Sequence, residues 1–419
     1  MALFSFLIFV TTCIVIIVVN IREKDGVLRA PSIAALISLF SIGPQMIQTL
    51  VNPFFNKTIL PIFFLFISIC LISFHLGFKK GMVMKSEITK LRQLEAGDNK
   101  YICIIFCIFG FIALLAYKGI IGGMDWVIAG FLQSLGVISI FLSFNKIKNY
   151  GLKDSKLYII ILLISTWCVI DYAFNIKGSR TRIFYIIIFT CLYLSRIYPI
   201  KAKLICNLVL YVFILGSVAS FSMGDYRKDI DKPFLERISL EQIVQNYKLN
   251  LFGQIKVSLN GQDLYNGAQY ADFCWETNNY NYGLFIWNGL VFNYIPQRFV
   301  GQNVKDSLMS PLEDREKVNS LTHGVTTVTG FGEAFAAYSI FGGLIFYVIA
   351  FFFGRWWQRS FISDFYLMLY AYSIMYLAPL ITHGIVYFIS PLVFFWIVIF
   401  PILRHSIYYI DYEEPDCVS

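Results

Sequence analysis

Three cations lie close together in a short segment between two apolar runs. They are Lys177, Arg180 and Arg182, in the sequence Asn-Ile-Lys-Gly-Ser-Arg-Thr-Arg of residues 175–182. The Gly-Ser turn, which contains Ser179, offers free backbone N–H groups where a helix begins, and guanidinium groups donate forked hydrogen bonds that match phosphate oxygens. The segment therefore predicts an anion site. The alternative interpretation is that these residues bind lipid headgroups, or that the number of membrane spans is off by one.

Two further arginines qualify as partners for such a site. Arg227 follows the end of an apolar run within a few residues, and Arg298 follows the aromatic stretch 282–294, which we interpret as an interfacial or re-entrant segment. Arginines from separate segments can clamp a diphosphate between them. For either arginine taken alone, the more common interpretation is a solvated surface residue.

The candidates for proton transfer are one carboxylate and two histidines. Glu333 lies near the start of an apolar run. Burying an ionisable group there costs on the order of 3 kcal/mol unless the group is paired or faces water. A partner is therefore expected, and a structural role at a helix start is the alternative. His323 precedes the same run, and His383 lies in a tight turn between two later runs. An external histidine is more often an interfacial residue than a base, and this is the alternative interpretation for both. The glycines and alanines of 330–343 also permit close helix packing.

The elements that must position these residues are membrane-spanning helices. With 58% hydrophobic and 14% charged residues, the chain has too little polar surface for a soluble globule. A bilayer core needs about 20 apolar residues in a helix. The sequence predicts an all-α polytopic integral membrane protein with about 11 transmembrane helices, at residues 2–20, 31–51, 58–78, 101–117, 127–144, 157–174, 183–196, 204–222, 327–353, 364–382 and 385–402.

The basic loops set the expected orientation. Connections 79–100 and 145–156 are rich in lysine and arginine, so we expect them in the cytoplasm. Alternation then places the amino terminus outside and the carboxyl terminus inside, and the first run has no charge before it, unlike a cleavable signal peptide. The predicted organisation is helices 1–8 in residues 1–222, a large external region of short helices in 223–325, helices 9–11 in 326–402 and a cytoplasmic tail in 403–419.

Charge and cysteine usage argue against several kinds of site. The formal net charge of +8 is spread over the expected cytoplasmic loops, so it does not indicate nucleic acid binding. Cys103 and Cys107 are one helical turn apart without a further ligand, and Asp229-Ile-Asp231 is surrounded by cations. We therefore expect no metal and no cofactor.

Together these motifs resemble the Wzy-type O-antigen polymerases, the oligosaccharide repeat-unit polymerases of bacterial inner membranes. The resemblance rests on Gly-Ser-Arg-Thr-Arg at 178–182, an external insert ending in a Pro-x-Arg segment, and the Thr-rich approach to Gly-Glu-Ala-Phe-Ala-Ala-Tyr at 332–338. Chain length, the late external insert and two short distal spans fit over the whole chain. Where the family often has Gly-Glu-x-Tyr, this chain has Phe335.

The resemblance implies a membrane glycosyltransferase of polysaccharide and lipopolysaccharide biosynthesis. At the periplasmic face of the inner membrane, it would transfer a growing glycan from undecaprenyl diphosphate to a new lipid-linked repeat unit, without a metal. Glu333, His323 or His383 would act as the base or orient the acceptor. The residues assigned to substrate binding are Arg180, Arg182, Arg227, Arg298, Lys177, Ser179, Thr329 and Tyr338. Membrane lipid is a further partner, and whether a chain-length regulator protein binds is left open.

Four alternatives remain at this stage. An O-antigen ligase would share the outer insert and the arginines and differ in its acceptor. A flippase or other transporter of lipid-linked oligosaccharide is expected to carry cations inside its bundle and to lack so long an insert. A membrane acyltransferase needs a histidine beside acidic residues within the membrane, and we expect His383-Gly384 to have no such neighbour. A structural scaffold would tolerate loss of every external arginine.

Overall fold

The structure is a computed structural model of the 419-residue chain. It describes residues 1–23, 25–51, 58–83, 90–94, 100–122, 124, 126–175, 192, 204, 263–295, 297–310 and 328–411. These residues form mostly helices, together with one two-stranded antiparallel sheet. Elements are numbered below in chain order over this part of the chain.

Eight helical segments in this part of the chain are long and apolar enough to cross a membrane. They are Ala2–Ile21, Ala30–Ile47, Ile59–Val83, Lys100–Tyr117, Ile128–Tyr150, Gly330–Arg359, Asp364–Thr382 and Val386–Ser406. Each corresponds to one of the predicted runs, so the prediction of a helical membrane protein is confirmed at this level. The predicted run 157–174 is the helix Lys156–Asn175, which is not among the eight. Runs 183–196 and 204–222 lie outside the described residues, apart from two single positions.

The chain divides into two compact units. The first unit comprises Met1–Lys79, Cys206–Phe352 and Tyr376–Ser390, and the second comprises the intervening segments and the carboxyl-terminal part. The helices of the first unit are α1 (Ala2–Ile21), α2 (Ala30–Ile37), α3 (Gly43–Val51), α4 (Ile59–Val83), α8 (Asp263–Thr277), α9 (Leu284–Tyr294), α10 (Gln297–Val300), α11 (Gln302–Leu308), α12 (Gly330–Tyr338), α15 (Leu377–Thr382) and the first parts of α13 (Gly343–Arg359) and α16 (Val386–Phe394).

Helix α12 is the buried centre of the first unit. Its residues Gly330 to Ala337 are all buried. The ring of Phe335 meets those of Phe63 and Phe66 in α4 edge-on, with centroids 6.2 and 5.1 Å apart. Because edge-to-face aromatic pairs add to the burial of apolar area, these contacts fix α12 firmly against α4.

Small residues allow two backbones to approach α12 closely. A Cβ atom added to Gly332 would lie 2.6 Å from Cα of Gly267 in α8, and one added to Gly330 would lie 2.0 Å from the Leu380 carbonyl oxygen in α15. Neither position can accept a larger residue without moving a neighbouring backbone. The prediction that the small residues serve close helix packing is therefore confirmed.

The described part of the polar insert consists of helices α8 to α11. Helix α9 is tied to α16, because Asn293 Nδ2 donates a 2.7 Å hydrogen bond to Ser390 Oγ and the Tyr294 hydroxyl donates to the Ser390 carbonyl oxygen. The segment before α9 is tied to α12, since the backbone N–H groups of Asn281 and Tyr282 donate to the Ala336 and Ala337 carbonyl oxygens. The insert is thus attached to membrane helices at two places.

The second unit contains a group of three helices and the sheet. Its elements are β1 (Lys90–Leu94), α5 (Lys100–Tyr117), α6 (Trp126–Tyr150), α7 (Lys156–Asn175), α14 (Asp364–Ile374), α17 (Phe400–Leu403), β2 (Ile407–Asp411) and the last parts of α13 and α16. Helices α5 and α6 cross where two glycines face each other, and a Cβ atom on Gly136 would lie 2.8 Å from Cα of Gly110. An ion pair of 2.5 Å joins Lys118 to the buried Asp171.

Strands β1 and β2 pair antiparallel, with Lys90 opposite Asp411 and Leu94 opposite Ile407. The Ser363 hydroxyl donates to the Arg92 carbonyl oxygen, and Asp364 N–H donates a 2.8 Å hydrogen bond to Gln93 Oε1. The start of α14 is therefore joined to β1.

Candidate functional site

Glu333 lies in the first turn of α12, and the local sequence explains why the helix starts there. Thr329 is the N-cap, and its hydroxyl accepts a 3.1 Å hydrogen bond from the Gly332 N–H group. Glu333 is buried, with 5% of the residue exposed, and its Oε2 accepts a 2.6 Å hydrogen bond from the Ile385 N–H group. The expectation that this carboxylate has a partner is confirmed. The partner is a backbone amide in the turn between α15 and α16.

Gly384 makes this contact possible. A Cβ atom there would lie 2.7 Å from Cδ and from both carboxylate oxygens of Glu333. The residue also has φ +132°, a conformation that other residues rarely adopt. The Glu333 carboxylate therefore packs directly on the bare backbone of Gly384, and its position and the shape of the 383–385 turn depend on each other.

His383 begins the same turn and faces a different carboxylate. Its Nδ1 atom lies 3.4 Å from Oδ2 of Asp263, the first residue of α8. This distance exceeds that of a well-formed N–H···O hydrogen bond, and the buried Nδ1 atom has no hydrogen bond of good geometry in this structure. The contact is therefore an ion pair whose strength depends on the protonation of the imidazole. The Tyr387 ring packs on the imidazole with centroids 5.9 Å apart.

Two opposing influences act on the pKa of His383. Burial disfavours the charged imidazolium and lowers the pKa, whereas the contact with Asp263, the charge of its carboxylate and the Thr382 backbone raise it. The raising influences prevail, so the pKa of His383 lies above its ordinary value. The side chain nevertheless remains 41% exposed, so solvent or a ligand can reach part of the ring.

Asp263 is held in place from two directions. Its neighbour Leu264 donates a 3.0 Å hydrogen bond from its N–H group to Gln45 Oε1 in α3, which anchors the start of α8. A carboxylate at a helix start is also favoured by the helix dipole. One helical turn further on, Gly267 meets Gly332 of α12. Asp263, Glu333 and His383 are thereby brought to one place from three separate parts of the chain.

Sequence reasoning found two of these three residues. Asp263 was missed because an acidic residue before an apolar helical segment is also an ordinary helix start. The expectation that His383 has no acidic neighbour is wrong, because Asp263 contacts it. This contact, which no local pattern reveals, is the signal that distinguishes Asp263.

The other predicted site residues are placed as follows. Thr329 is fully buried and engaged in capping α12, while the Tyr338 hydroxyl donates a 2.9 Å hydrogen bond to the Tyr282 carbonyl oxygen. Arg298 belongs to the short helix α10. The remaining predicted residues lie outside the described part of the chain, namely Lys177, Ser179, Arg180, Arg182, Arg227 and His323. The proposed arginine cluster thus stays a prediction.

The arrangement suits proton transfer at a partly exposed imidazole. Within the described ranges, no group of three or more His, Cys, Asp or Glu side chains could hold a metal ion. The exposed histidine has a fixed carboxylate on one side, which is a common way to orient an imidazole. The buried Glu333 holds the backbone of the turn that carries His383.

Comparison of the chain with protein-family models, with curated proteins and with solved structures gives no match.

Proposed function

We propose that this protein is a membrane glycosyltransferase that polymerises undecaprenyl-diphosphate-linked oligosaccharide repeat units into O-antigen or a related surface polysaccharide. The observation that supports it best is the pairing of a partly exposed histidine with a carboxylate, next to a buried glutamate, at the ends of apolar helices. A sugar hydroxyl is a weak nucleophile and benefits from a base placed in this way. The resemblance of the sequence to the Wzy-type polymerases supplies the substrate class.

The proposal includes eleven spans in the bacterial inner membrane, with the amino terminus periplasmic and the carboxyl terminus cytoplasmic. In this topology the start of Gly330–Arg359 and the turn after Asp364–Thr382 face the same side, because the chain crosses twice between them. The contact between Glu333 and Ile385 agrees with that arrangement. The insert at 223–325 lies on the same periplasmic side, where lipid-linked repeat units would be joined.

The proposed reaction forms one bond and breaks one. The acceptor sugar hydroxyl attacks the anomeric carbon of the donor glycan, a new carbon–oxygen bond forms, and the bond to the diphosphate oxygen breaks with its electron pair leaving on undecaprenyl diphosphate. The hydroxyl proton passes to the His383 imidazole, which is more accessible than the Glu333 carboxylate. Arg180, Arg182, Arg227 and Arg298 are assigned to the diphosphate charge, because a diphosphate leaving group needs charge stabilisation more than a proton.

Glu333 is assigned a positioning role in this scheme. A carboxylate on a residue that is 5% exposed, accepting a 2.6 Å hydrogen bond from Ile385, is committed to the turn. It holds the backbone on which His383 is carried. An O-antigen ligase would use the same groups on a different acceptor, whereas a flippase would need no base, so these alternatives separate in a cellular assay.

The test is electrophoresis of the surface glycan from a strain that lacks this gene. The strain is complemented with the wild type, with His383→Ala or with His405→Ala, a matched control in which an exposed histidine outside the site is removed. We expect a single repeat unit without the gene, a ladder with the wild type and the control, and a loss of polymer with His383→Ala that reflects a rate reduction of about 100-fold or more. Loss of even the single unit without the gene would indicate a ligase or flippase. A ladder from the His383→Ala strain that equals the wild-type ladder would contradict the proposal.

A further inference from the structure

We propose that Asp263 is the positioning residue for His383, holding the Nδ1 side of the imidazole so that Nε2 faces the acceptor hydroxyl. This inference rests on the proposed function for the role of Nε2. The pairing itself rests on the structure, where Asp263 Oδ2 and His383 Nδ1 lie 3.4 Å apart. Nothing in the sequence pattern assigns a catalytic role to Asp263.

The exposure of the ring supports this orientation. The His383 side chain is 41% exposed, yet its Nδ1 atom is buried. The exposed surface therefore belongs to the other side-chain atoms, and Nε2 is the only one of these that exchanges a proton at ordinary pH. A carboxylate at Nδ1 favours the tautomer with hydrogen on Nδ1, which leaves the Nε2 lone pair available as a base.

Asp263 is suited to positioning because it has little freedom of its own. Its side chain is 19% exposed, and the N–H group of the next residue is bonded to Gln45. The crossing at Gly267 leaves no space for α8 to move towards α12. Fixing an imidazole through a partner on a packed helix is a general way to preorganise a catalytic group.

Four elements meet at the His383–Asp263 pair and at the turn that carries His383. Asp263 approaches from α8, and Tyr387 of α16 packs on the ring. Glu333 of α12 lies against Gly384 and bonds to Ile385, and Gln45 of α3 contributes a neutral amide at the α8 start. The charge that acts on the imidazole through direct contact is that of Asp263, so replacing this one residue is the informative change.

The test measures His383 directly, without a substrate. Diethyl pyrocarbonate modifies a histidine only when its imidazole is neutral. The rate of His383 modification as a function of pH, followed by peptide mass spectrometry on the purified chain in detergent, therefore gives its pKa. We expect Asp263→Asn to lower the midpoint by about one pH unit, because the carboxylate no longer stabilises the imidazolium. Asp263→Glu should keep a midpoint near that of the wild type. The matched control is Asp306→Asn, which removes an exposed carboxylate on α11.

A second readout connects the pair to catalysis. In the glycan assay, Asp263→Asn should reduce polymer formation by about ten- to a hundredfold, with partial recovery in Asp263→Glu. The inference is overturned if the modification midpoint of Asp263→Asn equals that of the wild type, or if this variant makes wild-type polymer. If Asp263→Asn shifts the midpoint but the wild-type protein makes no ladder, the pairing is retained and the proposed function is refuted. If the wild-type protein makes a ladder but Asp263→Asn does not shift the midpoint, the proposed function is retained and the pairing is refuted.

Discussion

Replacing Gly384 by alanine tests whether Glu333 and the 383–385 turn depend on each other. The new Cβ atom would lie 2.7 Å from three atoms of the Glu333 carboxylate, about 1 Å closer than carbon atoms normally approach. The side chain of Glu333 is flexible in principle, but it is buried and bonded to Ile385 N–H, so it can withdraw only by giving up this hydrogen bond.

The expected cost has two parts. Placing alanine at φ +132° strains the backbone by about 1–3 kcal/mol. Losing a hydrogen bond to a charged group costs about 1.5–3 kcal/mol more. In a Glu333→Ala background the carboxylate is absent, so only the backbone strain remains. Gly384→Ala should therefore be less destabilising there by about 2 kcal/mol, which is the coupling free energy of the two positions.

The assay is unfolding of the purified protein in mixed micelles by increasing denaturing detergent, followed by tryptophan fluorescence for the wild type, both single variants and the double variant. The control is Gly151→Ala, because Gly151 also has a positive φ, +76°, but has no atom within 4 Å of an added Cβ. It measures left-handed strain alone. Equal costs of Gly384→Ala in the two backgrounds would refute the reasoning that the carboxylate occupies the space beside Gly384.

Two further predictions concern helix packing and pH. Gly136→Ala should lower the free energy of unfolding by about 1–3 kcal/mol, because the added Cβ would lie 2.8 Å from Gly110 Cα. Gly130→Ala, on the same helix but with its nearest contact at 3.5 Å, should cost much less. Equal unfolding midpoints of the two variants would contradict this prediction. The pKa of folded His383 is raised, so its ion pair with Asp263 stabilises the protein fully below the ordinary histidine pKa of about 6.5 and is lost as pH rises through the folded value. The stability difference between wild type and Asp263→Asn should therefore be larger at about pH 5.5 than at about pH 9, and a difference independent of pH would exclude the ion pair.

The membrane helices could be predicted from the sequence because their signal is local. An uninterrupted apolar run such as 2–20 can be satisfied only by a helix in lipid, and the structure has a helix there at Ala2–Ile21. Glu333 could be predicted as a candidate for the same reason, since a lone charge in such a run requires a partner. Its actual partner, the Ile385 amide, could not be predicted, because any backbone N–H group is a candidate and the sequence does not distinguish among them.

Features that depend on distant pairing were missed. Asp263 becomes a candidate site residue only through its contact with His383. The close crossing of α8 and α12 at Gly267 brings these residues together. The sequence predicts a basic loop where the structure has strand β1, because Lys-Leu-Arg-Gln-Leu at 90–94 lacks the β-branched residues typical of strands. Its extended conformation is imposed by the partner strand and by the start of α14, so it is a tertiary effect.

The pairing of β1 with β2 makes the order of synthesis matter. The partner of residues 90–94 lies much later in the chain, at 407–411, so the edge of β1 is unpaired until the helices between the two strands have been made. Contacts between such distant segments form late, because closing a long loop is entropically costly. The sheet can therefore form only after the helices between the two strands have been made. Without Ile407–Asp411, the edge of β1 would stay unpaired and available for pairing with a strand of another chain.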